Sequence, residues 1–115
     1  ESDLLTAEQT ATNIRKILED KKGLDIEVIN VEGKTILTDR FVLATGNSVT
    51  HVKSLAAEVE KNMKDNYDRV PDHIEGYDTG RWILMDYADV VVHLFHSEER
   101  SFYSLEKLWQ AVHRG

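Results

Sequence analysis

The sequence predicts an α/β domain in which helices pack on a mixed β-sheet, in the order α-β-β-α-β-β-β-α. Three observations carry that expectation. Residues 4–18 and 49–63 place apolar side chains at helical spacing. Four runs rich in β-branched, aromatic and aliphatic residues, 25–31, 36–45, 82–87 and 90–96, are about a strand long. Clusters of Gly, Asn, Asp and Pro separate these segments. No repeat, linker or low-complexity stretch intervenes, so 115 residues read as one domain.

The first helix is expected over residues 7–22. Thr6-Ala7-Glu8-Gln9 has the form of a capping box, with Thr6 as N-cap and Gln9 reaching back to it. Ala7, Ala11, Ile14, Ile17 and Leu18 form its apolar stripe, and Gly23 takes the C′ place. Residues 25–31 make a first strand, with Ile26 and Val28 on one face and Glu27 on the other. Glu32-Gly33-Lys34 turns the chain into a second strand, 36–45, antiparallel to the first and apolar on both faces by Phe41. Gly46-Asn47-Ser48 closes that strand, and Ser48 caps a second helix over 49–66. Its stripe of Val49, Val52, Leu55, Ala56, Val59 and Met63 faces the sheet.

After a loop holding the only proline, Pro71, residues 73–76 read as a short strand and 77–80 as a turn. A hairpin follows, 82–87 paired with 90–96. The second arm is apolar on both faces at Val90, Val91, Val92 and Leu94, which places it inside the sheet and not at an edge. The first arm carries Trp82, Leu84 and Asp86 on one face and Ile83, Met85 and Tyr87 on the other. Ser97-Glu98-Glu99 opens a last helix with Phe102, Leu105, Leu108, Trp109 and Val112 as its stripe, which makes Trp109 a core residue.

Charge and composition narrow the function. Fourteen Lys and Arg against 21 Asp and Glu give a net charge of −7. A nucleic-acid binder draws most of its affinity from phosphate neutralisation and needs a basic stripe, so direct nucleic-acid contact is expected to be small. A basic protein is the better-matched partner. With no cysteine there is neither a disulfide framework nor thiolate chemistry. No run approaches the ~18 apolar residues that span a bilayer, and Glu1-Ser2-Asp3 is not a basic leader, so a cytoplasmic protein without a membrane partner is expected.

Candidate chemistry is sparse. His93 and His96 lie three apart on a strand and face opposite ways, so they do not chelate one ion. His51 and His93 read as hydrogen-bonded structural histidines, and no metal or cofactor is expected. Asp89 reads as a turn residue. Asp86 still belongs to the strand face of Trp82 and Leu84. A tryptophan, a leucine and a carboxylate on one side suit a partner surface better than a core. Gly46-Asn47-Ser48 at a strand–helix junction is a weak phosphate signal, without the Lys of a P-loop.

Several blocks together closely resemble the ribosomal silencing factor family, also called the RsfS or Iojap family. They are residues 25–31, Thr38-Asp39-Arg40-Phe41-Val42-Leu43-Ala44-Thr45-Gly46-Asn47-Ser48 with His51-Val52, Ile74-Glu75-Gly76, residues 82–95, and Leu105-Glu106-Lys107-Leu108-Trp109. The likeness runs from about Leu4 to Trp109 and implies that residues 1–115 form a single silencing-factor domain with a nucleotidyltransferase-like fold and no catalysis. It further implies binding to the large ribosomal subunit through its ribosomal protein number fourteen, at the face where the subunits meet. There the bound factor would block joining of the small subunit and repress translation. Organelle members of the family imply a role in large-subunit assembly. The contacts expected here are Trp82 as apolar anchor, Leu84 beside it, Asp86 pairing with a basic side chain, and Tyr87 offering a ring and a hydroxyl.

Two alternatives stand beside this. One is a nucleotide-binding transferase with Ser48, Asp86 and Asp89 around a metal, against which the absence of any Asp-x-Asp pair argues. The other is a homodimer acting in subunit assembly. One departure from the family pattern bears on the hairpin. The family commonly has Gly where this chain has Ala88, so a position needing positive φ would be strained here.

Overall fold

A computed structural model of the chain describes residues 5–36 and 38–100. Helix α1, Ala7–Asp20, begins with the expected capping box: the Gln9 backbone N–H donates to Thr6 Oγ1 at 3.1 Å, and the Thr6 N–H to Gln9 Oε1 at 3.0 Å. Strand β1, Leu24–Asn30, pairs antiparallel with β2, Arg40–Gly46. Helix α2, Val49–Tyr67, follows with Ser48 as N-cap. The chain then forms β3, His73–Glu75, β4, Trp82–Asp86, β5, Val90–His96, and α3, whose described part is Ser97–Arg100.

The sheet order is β1-β2-β5-β4-β3. β2 and β5 are parallel and every other pair is antiparallel, so the sheet is mixed. β5 is central, as its two apolar faces predict. Val90, Val92 and Leu94 join Val42, Ala44, Ile83 and Met85 under the stripes of α1 and α2. Val91 and Phe95 belong to a second cluster on the opposite face, with Phe41, Leu43, Leu84 and Val31. Among the described residues no helix is long and apolar enough to cross a membrane.

Most boundaries fall within a residue of expectation, and the larger departures are the end of α1 and the start of β2. α1 stops at Asp20, and Lys22, not Gly23, adopts the left-handed conformation (φ 64°). The Gly23 N–H donates to Leu18 C=O at 2.8 Å and the Lys22 N–H to Glu19 C=O at 3.0 Å, a Schellman closure with a lysine at C′. β2 begins at Arg40 instead of residue 36, because its ladders begin opposite Asn30 on β1 and Val90 on β5; Ile36 is fully exposed. Helix α3 opens at Ser97 as expected, and the Glu98 N–H donates to His96 Nδ1 at 3.1 Å. The expected stripe from Phe102 to Val112, including Trp109, lies outside the described residues.

Candidate functional site

The pleat of β4 does what its sequence predicts. Trp82 and Leu84 join the cluster on the sheet face away from α1 and α2, and Ile83, Met85 and Tyr87 join the cluster beneath the helices. Asp86 shares the parity of Trp82 and Leu84, and its backbone pairs with His73 on β3. In the same ladder Glu75 pairs with Leu84. The face therefore continues onto the edge strand as His73 and Glu75, residues that sequence reasoning missed. The signal was present in the alternation His73-Ile74-Glu75, whose middle residue packs against the helix-side core.

Not all of the four expected contact residues reach the surface. Trp82 and Asp86 are partly exposed. Leu84 is 4% exposed and fills the cluster below them. Tyr87 is 1% exposed and lies on the opposite side of the sheet. Strand alternation sends its ring under the helices, so Tyr87 supports the hairpin from behind and its ring is not available to a partner on the Trp82 face.

Trp82 is held by aromatic neighbours. Its indole stacks on Phe95 at 5.5 Å between centroids, and its Nε1–H donates to His93 Nδ1 at 3.0 Å. An accepting Nδ1 puts the imidazole proton on Nε2, which is buried without a hydrogen-bond partner among the described residues. Phe41 meets the same imidazole edge-on at 5.0 Å. Burial lowers the His93 pKa to about 3, so the ring stays neutral and its acceptor remains available to Trp82. This histidine acts on the site by positioning the indole.

The turn after β4 fixes Asp86. Asp86 Oδ1 accepts from the Ala88 N–H at 2.7 Å. The Asp89 N–H donates to Tyr87 C=O at 3.0 Å, a bond between residues two apart, and Ala88 between them has φ 75°. Together these describe a γ-turn of the strained hand. The positive φ expected to burden alanine at this position is thus present. Behind the turn, Arg69 donates to Tyr87 C=O at 2.7 Å, to Asp89 Oδ1 at 3.2 Å and to Thr10 Oγ1 at 3.1 Å. Burial raises the Tyr87 phenol pKa, with Glu60 adding to the effect and Arg69 opposing it. Its hydroxyl has no hydrogen-bond partner among the described residues.

The alternative constellation does not assemble. Ser48 follows the end of β2, where Gly46 pairs with His96, whereas Asp86 and Asp89 flank the start of β5, where Val90 pairs with Arg40. Six strand residues separate these ends, roughly 20 Å at strand rise. One metal cannot bind all three. Ser48 Oγ accepts from the His51 N–H at 3.0 Å. His51 Nδ1 accepts from the Asn47 N–H at 3.1 Å, and Nε2 lies 3.1 Å from Lys21 C=O, joining the end of α1 to the β2–α2 junction. Both His51 and His93 are hydrogen-bonded within the fold. Among the described residues no group of three His, Asp or Glu side chains is arranged to hold a metal ion.

Comparison with known proteins adds a family. The family model described as "Ribosomal silencing factor during starvation" matches residues 5–114. The chain is 43% identical over 91 residues to the ribosomal silencing factor of Bacillus subtilis, covering 79% of this chain and 76% of that one. It is 35% identical over 95 residues to a mouse protein named mitochondrial assembly of ribosomal large subunit protein 1, covering 81% of this chain and 42% of the mouse protein. The crystal structure of a Chromobacterium violaceum protein matches with a TM-score of 0.84 at 34% identity, over 92% of this chain and 88% of that chain.

Proposed function

The chain belongs to the ribosomal silencing factor family, and on that footing we propose that it represses translation by occupying the large ribosomal subunit where the small subunit must join. Occlusion needs a folded domain and an anchored face, but no reaction and no cofactor. The proposed receptor is the basic ribosomal protein number fourteen of the large subunit, reached in the cytoplasm.

The observation that carries this reading is the composition of one sheet face. A partly exposed indole, pinned by His93, stands in line with Asp86 on β4, and β3 sets His73 opposite Asp86 and Glu75 opposite Leu84. Trp82 supplies an aromatic anchor of the type enriched at binding hot spots. Asp86 supplies negative charge for a lysine or arginine of the partner. Leu84 supports the anchor from below, and Tyr87 holds the turn from the other side. A carboxylate at the rim adds steering and orientation more than raw affinity, so the energetic weight falls on Trp82.

The test is sedimentation of the protein with separated ribosomal subunits. Co-migration with the large subunit together with fewer joined ribosomes is the expected result, and Trp82→Ala should weaken that binding by roughly 2–4 kcal/mol. Undiminished binding by a folded Trp82→Ala protein would remove this face from the mechanism. A second reading, a factor for large-subunit assembly, is favoured by the name of the mouse relative. Co-migration without any block on joining would support it. Binding to neither subunit, with a symmetric dimer in solution, would shift the face to self-association.

A further inference from the structure

The turn that carries Asp86 is held from the helix side by a side chain outside the docking face. Asp68, in the left-handed conformation (φ 54°), ends α2, and the Arg69 N–H closes on Met63 C=O at 3.1 Å. From there the Arg69 guanidinium reaches the β4–β5 turn, with its Cζ 5.6 Å from the centre of the Tyr87 ring. Nη2 donates to Tyr87 C=O at 2.7 Å and to Asp89 Oδ1 at 3.2 Å, and Nη1 donates to Thr10 Oγ1 at 3.1 Å. Thr10 belongs to α1 and the Tyr87 ring to the core beneath the helices, so the arginine approaches from the side of the sheet opposite Trp82.

Ala88 at φ 75° puts this turn under strain, and a strained backbone persists only where its surroundings over-determine it. Backbone donors fix the flanks. The Asp72 N–H donates to Asp86 C=O at 2.7 Å, and the Asp39 and Arg40 N–H groups donate to Asp89 C=O at 3.0 and 3.2 Å. At the apex, the Tyr87 carbonyl accepts from the Asp89 N–H within the turn and from Arg69 outside it. We propose that Arg69 is the positioning residue of the docking face, holding the Tyr87–Asp89 turn so that Asp86 presents its carboxylate to a basic side chain of the partner. The proposal rests on the docking reading above, and Arg69 itself touches no partner.

One peptide unit links the two residues. Asp86 Oδ1 accepts from the Ala88 N–H at 2.7 Å, and that N–H shares its peptide with the Tyr87 C=O that Arg69 holds. A trans peptide is planar, with its C=O and N–H pointing in opposite directions, so pinning the oxygen also aims the N–H. Arg69 and Asp86 therefore grip opposite ends of one rigid plane. Charge alone predicts a different role. Arg69 is a cation in a protein of net charge −7, and its loss would also leave the Asp89 carboxylate without this ion pair, so Coulomb attraction to a basic partner should grow. Positioning predicts that affinity falls, so the two accounts differ in sign.

The test is a double-mutant cycle in the full chain. Wild type, Arg69→Met, Asp86→Asn and the double variant are each titrated against purified large subunits at low and at high salt, with magnesium held constant. Asparagine keeps an oxygen for the Ala88 N–H and removes the charge offered to the partner. Asp86→Asn should lose about three- to five-fold in affinity, the weight of one exposed ion pair, and Arg69→Met a similar factor, both more at low salt than at high. The double variant should bind within about two-fold of Asp86→Asn, because the two residues act through one contact. If Arg69→Met does not keep the native circular-dichroism spectrum, Arg69→Lys carries the same cycle with a smaller expected loss, since it keeps a donor for the Tyr87 carbonyl without the guanidinium fork. An Arg69 variant that binds as well as wild type or better, or a loss that ignores salt or multiplies with that of Asp86→Asn, would overturn the positioning role and leave docking intact. Wild type that does not bind, or Asp86→Asn that binds as wild type does, would overturn the docking reading at Asp86 and the positioning role with it.

Discussion

Replacing Ala88 by glycine should make this protein more stable. Ala88 has φ 75° and an exposed side chain at the tip of the β4–β5 turn. A Cβ in left-handed backbone conformations costs roughly 1–2 kcal/mol against the following carbonyl. Glycine removes that clash and gives up no packing. It also enlarges the unfolded ensemble, which offsets about 0.4–1 kcal/mol. The balance is a gain of about 0.5–1 kcal/mol, or a rise of roughly 2–4 °C in Tm for a domain of this size. Both hydrogen bonds of the turn use backbone N–H groups, those of Ala88 and Asp89, and glycine keeps them. Urea unfolding of the two proteins gives the answer, since a midpoint shift at constant m isolates stability. Ala88→Val is the opposing control, because a β-branched residue is a severe misfit at positive φ. An unchanged or lower midpoint for Ala88→Gly, with Ala88→Val equally harmless, would refute the strain assigned to this turn.

Lys22→Gly should add about 0.5–1 kcal/mol for the same reason at the Schellman end of α1, read from the urea midpoint. Tyr87→Phe removes a buried hydroxyl that has no partner among the described residues, so stability should hold or rise by up to about 1 kcal/mol, and large-subunit binding should be unchanged; a fall in binding with stability intact would return Tyr87 to the interface. Stability should also depend on pH through His93, whose pKa is about 3 when folded and about 6.5 in an unfolded chain. Above pH 6.5 the residue is neutral in both states and contributes no slope. Below it the unfolded state takes up a proton that the folded state refuses, so stability falls with pH, by about 2 kcal/mol between pH 6.5 and 5. Urea midpoints across that range should fall less steeply for His93→Phe than for wild type, and identical slopes would refute the assignment.

Much of the fold was legible because period and punctuation agree. The alternation of β4 told which side each residue takes, and the doubly apolar β5 told that it is central. The capping residues Thr6 and Ser48 announced two helix starts through local bonds that short-range sequence encodes. What escaped depends on partners far away in sequence. The start of β2 is set by where β1 and β5 offer ladders, not by where apolar residues begin. Lys22 takes the left-handed place ahead of Gly23, which a propensity rule assigns the other way. At the site, strand parity already separated Tyr87 from Trp82, yet a tyrosine beside an aspartate still reads as a contact when considered alone. His73 and Glu75 were harder to find, because their importance comes from the ladder that brings them to Asp86 across the loop between β3 and β4.

The place of β5 in the sheet constrains how this protein is made. Strands β1 and β2 form one hairpin-like pair and β3 and β4 another, and only β5 joins them. A two-stranded pair on its own is marginal in water. While a ribosome is still synthesising residues 90–96, neither half has the strand that completes it, and the apolar rows of Val42 and Met85 have no common core. Truncation before Val90 should therefore leave one chain with two unstable strand pairs in place of a smaller sheet. Folding waits for β5 to clear the exit tunnel, so the Trp82 face takes shape only after residues 90–96 have emerged. A protein proposed to silence ribosomes would then have no formed docking face with which to engage the ribosome producing it until β5 has left that ribosome.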